Sequence, residues 1–138
     1  MSRVERTVLT IGTFDTPHLG HAYLFKECER YGTLTVGVNS DEFVESYKGQ
    51  RPIYEYGERT MLISSLGYQV LKNCSAGREL IDEVAPDVLA IGSDWAKKDY
   101  YAQIDVDQDY LDERRITMVY IPRLGTLSST ELKARTNG

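Results

Sequence analysis

Short runs of aliphatic and β-branched residues alternate along the chain with stretches whose apolar positions recur every three or four residues. Val8-Leu9-Thr10-Ile11, Leu34-Thr35-Val36-Gly37-Val38, Val88-Leu89-Ala90-Ile91 and Ile116-Thr117-Met118-Val119-Tyr120-Ile121 read as strands. Tyr68-Gln69-Val70-Leu71 is a weaker run of the same kind. Between them, His18 to Tyr31 carries Leu19, Ala22, Tyr23 and Phe25 at helical spacing and stops at Gly32. Asn39 to Phe43 reads as a turn into a short helix, and residues 48–54, with Gly and Pro, as a loop. Glu55 to Leu66 is helical, with Met61, Leu62 and Leu66 as apolar positions. Gly77 to Val84 is a short helix stopped by Pro86, and Ser128 to Arg135 a closing one.

Strands alternating with helices predict right-handed crossovers and a parallel sheet covered on both faces. The expected fold is therefore α/β, a Rossmann-like three-layer domain over residues 1–138 with a mainly parallel five-stranded sheet. Ligands in such folds gather at the carboxyl ends of the strands. Three segments qualify: Gly12 to His21, Gly92 to Lys98 and Arg123 to Thr130.

Composition narrows the classes. Hydrophobic residues at 41% and charged residues at 27% suit a globular domain rather than a disordered chain or a coiled coil. A net charge of −5 argues against a nucleic-acid footprint but allows a local cationic pocket. Cys28 and Cys74, without CxxC spacing, read as reduced thiols. No apolar run approaches a membrane span, and the opening residues lack a signal-peptide core, so a cytoplasmic location is expected.

Both histidines of the chain, His18 and His21, fall in Gly12-Thr13-Phe14-Asp15-Thr16-Pro17-His18-Leu19-Gly20-His21. Their spacing puts both imidazoles on one face of a helix's first turn, where free N–H groups and the dipole favour a phosphate. Imidazoles there can donate to a phosphoryl oxygen as charge develops on it. Gly20 permits close approach of a ligand or backbone, and Gly12-Thr13 makes the tight turn out of the strand. The plain alternative is a helix start with two incidental histidines. No third ligand is placed nearby for zinc. Near the end of the chain, a Ser before Glu131 fits a capping box at a helix start. Ser128, Ser129 and Thr130 would make a second anion site there, and Arg123 can grip phosphate oxygens with its fork of donors. An ordinary capped helix explains the same residues. Asp105, Asp107, Asp109, Asp112 and Glu113 read as a solvated acidic face, because Tyr110 and Ile116 occupy the places where an EF-hand needs Gly and Glu.

Gly12-Thr13-Phe14-Asp15 with His18-Leu19-Gly20-His21 resembles the HxGH signature of the nucleotidyltransferase superfamily. Within it, the chain is similar to the short bacterial glycerol-3-phosphate cytidylyltransferases from about residue 6 to residue 135. Gly92-Ser93-Asp94-Trp95 is close to that family's Gly-Asp-Asp-Trp, and Pro122 to Thr130 resembles its Arg-Thr-Glu-Gly-Ile-Ser-Thr-Thr. The resemblance implies the nucleotidylyl transferase type of fold and transfer of CMP from CTP to a small phosphorylated alcohol, glycerol 3-phosphate foremost. It implies that His18, His21 and Lys48 act on the α-phosphate. Gly12, Thr13, Phe14, Asp15, Gly20, Gly92, Arg123, Ser128, Ser129 and Thr130 would bind the nucleotide. Arg59, Asp94, Trp95 and Lys98 would face the acceptor. Mg²⁺ is implied as the companion of CTP, with no metal site made by the protein, and a homodimer as the assembly.

The chain departs from that pattern in places. Gln50 stands where the family has a second lysine, and Gly67 where it has an arginine. Gly125 sits one place early, with Thr126 in the position of the family's glycine. Three other functions stay open. One is an adenylyltransferase for another phosphate ester, and one a catalytically silent nucleotide-binding module. The third, a synthetase-like fragment, would need a KMSKS-type loop that the chain lacks.

Overall fold

The computed structural model describes residues 5–15, 19–92 and 104–122. The five apolar runs become β1 (Thr7–Gly12), β2 (Thr33–Asn39), β3 (Gln69–Asn73), β4 (Val88–Gly92) and β5 (Thr117–Ile121). All pairings are parallel, in the order β3-β2-β1-β4-β5. The connecting helices are α1 (Leu19–Cys28), α2 (Asp41–Lys48), α3 (Tyr56–Ser65), α4 (Arg78–Val84) and α5 (Gln108–Glu113).

The two-residue period of a strand sorts the core into two layers. Leu9, Ile11, Leu89 and Ile91 face one way and pack against Leu80 and Ile81 of α4 and Tyr110 and Leu111 of α5. Val8, Val36, Val38, Val88 and Ala90 face the other way, against Phe25 and Cys28 of α1 and Ile63 of α3. Burying a side chain such as Phe25 stabilises the fold by roughly 1.5–3 kcal/mol. Helices thus cover both faces of a parallel sheet, the Rossmann-like α/β arrangement that the strand pattern predicts.

Strand order places a switch point between β1 and β4, because the chain leaves β1 toward β2 and β3 and later returns to β1's other side. β1 pairs with β2 over six positions, from Thr7↔Thr33 to Gly12↔Val38. Its ladder with β4 comprises Val8↔Val88 and Leu9↔Leu89, close to the amino ends. The carboxyl ends of these two strands flank the place where this fold class seats its ligands.

Two expectations change. The first helical pattern runs on to Tyr31, but α1 ends at Cys28. Tight turns follow, with Arg30 N–H donating to Glu27 O at 3.1 Å and Tyr31 N–H to Cys28 O at 3.0 Å. The acidic run hides α5, which Asp107 caps by accepting from Tyr110 N–H at 2.8 Å. Its carboxylates are solvated as expected, while Tyr110 and Leu111 enter the core. The closing helix expected from Ser128 lies outside the described residues. Among the described residues no helix is long and apolar enough to cross a membrane.

Candidate active site

The site grows from the carboxyl end of β1. Phe14 turns its ring back over Gly12, where a Cβ would come within 2.8 Å of the ring's Cζ. Its backbone sits at φ 51°, a left-handed state that residues with a Cβ rarely adopt. The ring is 8% exposed and meets Phe25 and the His21 imidazole edge-on, each at 5.3 Å between centroids. Phe14 therefore backs His21 from the core side. Gly20 and His21 lie in the first turn of α1, as the spacing predicts.

Thr13 is tied into a polar chain across three strand ends. Asn73 Nδ2 donates to Asn39 Oδ1 at 2.8 Å, and Asn39 Nδ2 to Thr13 Oγ1 at 3.1 Å. The Tyr47 hydroxyl of α2 lies 3.1 Å from the same Thr13 oxygen. Asn73 also donates to Ser75 O at 2.6 Å, so these buried amides are satisfied. Asn39 and Asn73 pair directly in the β2–β3 ladder. Sequence reasoning missed all three residues. They converge only in the folded sheet, where β2 and β3 each run on to an Asn.

A second knot joins β1, α2 and α3. Arg59 is 0% exposed. Its Nη1 donates to Thr13 O at 2.7 Å, its Nη2 to Asp41 Oδ1 at 2.7 Å and its Nε to Tyr54 O at 3.0 Å. Asp41 also accepts from Tyr56 N–H at 3.1 Å, with the Arg51 guanidinium 3.7 Å away. Burial pushes the Asp41 carboxyl up, but the Tyr56 N–H and the neighbouring arginines outweigh it and hold it below the usual carboxylate range. Arg59 was expected to face the acceptor. The structure places it inside the protein instead, because a buried guanidinium needs its carboxylate and carbonyl partners.

Asp15 is likewise occupied from within. Its Oδ2 accepts from Ile53 N–H at 2.9 Å and its Oδ1 from Tyr54 N–H at 3.0 Å. Both oxygens of the residue expected to contact the nucleotide are thus engaged with the loop before α3. Lys48 is the exposed last residue of α2, directly after Tyr47, and Gly49 closes that helix at φ 80°. Gly92 ends β4 opposite Ile121, on the far side of the switch point from Gly12.

His18, Asp94, Trp95, Lys98, Arg123, Ser128, Ser129 and Thr130 lie outside the described residues. Among those described, no group of three or more His, Cys, Asp or Glu is placed to hold a metal ion. Both cysteines are free, and burial pushes the Cys28 thiol up to about 12, so it stays protonated as a core side chain.

Residues 9–135 match the family model described as Cytidylyltransferase-like. The bifunctional protein HldE of a Nitratiruptor species is 43% identical over 102 residues, which make up 70% of this chain and 22% of that protein. The bifunctional protein HldE of Aliarcobacter butzleri is 35% identical over 117 residues, 81% of this chain and 24% of that one. The chain thus spans less than a quarter of the length of these relatives. Among solved structures, a lipopolysaccharide core biosynthesis protein from Thermoplasma volcanium is similar with a TM-score of 0.70 and 29% identity. That match covers 88% of this chain and 99% of the other. A pantoate-beta-alanine ligase from Francisella tularensis, complexed with beta-gamma ATP and beta-alanine, shares the fold. Its TM-score is 0.56 at 15% identity, covering 96% of this chain and 69% of that one.

Proposed function

Since the chain belongs to the cytidylyltransferase-like family of nucleotidyltransferases, we propose that it moves a nucleoside monophosphate from an NTP onto a small phosphorylated alcohol or sugar. The observation that carries this reading is the turn after β1. It stands at the switch point, is anchored through Thr13 to two other strand ends, and leads into the helix turn that holds His21 against Phe14.

In this reading an oxygen of the acceptor's phosphate attacks the α-phosphorus, forming a new P–O bond. The bond from the α-phosphorus to the oxygen bridging it to the β-phosphorus breaks, and pyrophosphate leaves with that electron pair. A phosphate monoester is already a competent nucleophile near neutral pH, so no covalent enzyme intermediate is required. Catalysis is positioning plus charge stabilisation. His18 and His21 donate to the α-phosphate as charge builds, and Lys48 adds a cation. Gly12, Thr13, Gly20 and Gly92 shape the nucleotide side. Arg123 and Ser128 to Thr130 hold the departing pyrophosphate, while Asp94, Trp95 and Lys98 line the acceptor side. We read Mg²⁺ as the companion of the triphosphate, held largely by phosphate oxygens and water. Such an ion screens the triphosphate's charge when bound.

The motif resemblance favours CTP as donor and glycerol 3-phosphate as acceptor. A second reading, adenylyl transfer from ATP to a phosphorylated sugar, draws on other observations. The relative at 29% identity is named for the lipopolysaccharide core, a glycan, which favours a sugar phosphate as acceptor. Gln50 and Gly67 stand where the glycerol-3-phosphate enzymes carry cations, which weakens the link to CTP. We read the assembly as a homodimer, to be checked by sedimentation.

Pyrophosphate release, measured for each NTP against glycerol 3-phosphate and a panel of sugar phosphates, tests the proposal. Release with CTP and glycerol 3-phosphate supports the first reading, and release with ATP and a sugar phosphate the second. Tight nucleotide binding without release from any pair would leave a silent binding module.

A further inference from the structure

We propose that Asp15 is a positioning residue: together with Arg59 it grips both backbone polar groups of Tyr54 and holds residues 49–55 as a fixed wall beside the β1 turn. Only the kinetic part of the test below rests on nucleotidyl transfer.

Residues 49–55 form no helix or strand. Six of the seven are exposed, Ile53 to 77%. A surface segment with so little buried apolar area belongs to the part of a protein that opens most easily. Between its helix-capping ends, the backbone of Ile53 and Tyr54 is nevertheless bound at three points. Asp15 accepts from the N–H groups of Ile53 and Tyr54 at 2.9 and 3.0 Å, and Arg59 Nε donates to Tyr54 O at 3.0 Å. Hydrogen bonds with one charged partner are roughly twice as strong as neutral ones.

Both gripping side chains are themselves rooted at the site. Asp15 belongs to the turn after β1, two residues beyond Thr13. Arg59 continues to Thr13 O and to Asp41 at the start of α2, each at 2.7 Å. The segment is therefore registered against the same carbonyl that ends the nucleotide turn. Lys48 precedes the segment directly and Arg51 lies within it. Lys48 closes α2 at the segment's edge, while the stance of Arg51, paired with Glu42 and Glu45, depends on a loop whose position Asp15 sets. Misplacing a reacting or charge-stabilising group by about 1 Å can cost about 10²-fold in rate. Asp15 thus influences turnover with both of its oxygens already taken by amides.

The test uses the full chain as wild type, Asp15→Asn and Asp15→Ala, since variants of the buried Arg59 would also disturb folding. NMR hydrogen exchange reads the Ile53 and Tyr54 amides, with Leu9 as a core reference. Calorimetry gives the Kd of CTP and of ATP, and pyrophosphate release gives kcat. We expect exchange at Ile53 and Tyr54 to rise about tenfold or more in Asp15→Ala, the size of a lost charge-assisted bond. Asp15→Asn, which keeps one acceptor oxygen, should fall between, with Leu9 unchanged. Nucleotide Kd should stay within about threefold while kcat falls in the same order, the mark of an interaction used in the chemical step. Unchanged exchange at both amides in Asp15→Ala, with weaker nucleotide binding, would overturn the proposal and make Asp15 a nucleotide contact. A wild type that releases no pyrophosphate sinks the transferase reading separately, and the exchange and affinity results still decide Asp15's role.

Discussion

Gly12, Phe14 and His21 form a small mechanical unit. Phe14 holds a positive φ that costs energy, and its ring is wedged between Phe25 and the imidazole. Gly12→Ala would drive a methyl into that ring. The expected result is a loss of about 1–3 kcal/mol, as for other overpacked sites, together with a shifted His21 ring resonance. Denaturation and NMR check the two effects. His21→Ala separates chemistry from packing. The lost ring contact should cost only about 0.5–1.5 kcal/mol, while kcat falls by ~10²-fold or more, as when an oxyanion-type donor is removed. Unchanged turnover would take His21 out of the mechanism. The place of His21 in the first turn of α1 was legible in the sequence, because a histidine spaced for a helix follows a strand and a glycine turn. The role of Phe14 was not, because it depends on a ring folding back over a glycine, which no linear pattern encodes.

At the level of elements, α2, α3 and the loop between them are joined by charge rather than by apolar area. Asp41 is the hub, and its pKa in the folded protein lies below the unfolded value. Its contribution to stability is therefore complete above the usual carboxylate range and lost as pH falls below about 4. Asp41→Asn should be less stable than wild type at neutral pH, with the gap closing as pH drops through that window. Urea denaturation between neutral pH and about pH 3 measures it, and a gap of constant size would remove the carboxylate's charge from the account. Arg59→Ala leaves Asp41 buried without its partner and should cost about 3–5 kcal/mol. A helix over Glu55 to Leu66 could be read from the sequence. Which of its faces carried Arg59 inward could not, because the partners Thr13, Asp41 and Tyr54 come from other parts of the chain. The run Asp105 to Glu113 is the solvated face expected of it, but it concealed a helix for a different reason. Its carboxylates dominate the pattern, and the two core residues of α5, Tyr110 and Leu111, are adjacent rather than periodic. The Tyr110 hydroxyl donates to Asp82 of α4, and the Arg114 guanidinium lies 3.6 Å over the Tyr110 ring and 3.0 Å from the same carboxylate. That clamp fixes a helix which the sequence presents only as acid.

For the whole molecule, the hydrophobic pattern was enough to give five strands, their parallel sense and helices on both faces. Each strand is a short aliphatic run, and each connection is long enough for a crossover. The order β3-β2-β1-β4-β5 was not readable, because it depends on which edge each crossover chooses. It is this order that makes β1 and β4 neighbours at the switch point and sets Gly12 and Gly92 on its two sides. The candidate site was legible where it uses motifs, at Gly12 to His21. It was opaque where it uses supports, at Asn39, Asn73, Tyr47 and Arg59. Motif residues sit together in the sequence, whereas the supports converge only in the folded sheet.

In the proposed reaction the protein joins two phosphates and releases two others as pyrophosphate. Phosphorus NMR of the wild-type protein with an NTP, Mg²⁺ and a phosphorylated sugar or alcohol observes that bond directly. Pyrophosphate and a new diphosphate linkage between acceptor and nucleotide should appear in equal amounts and only when the acceptor is present. Nucleotide that binds but keeps its triphosphate with every donor and acceptor would contradict it.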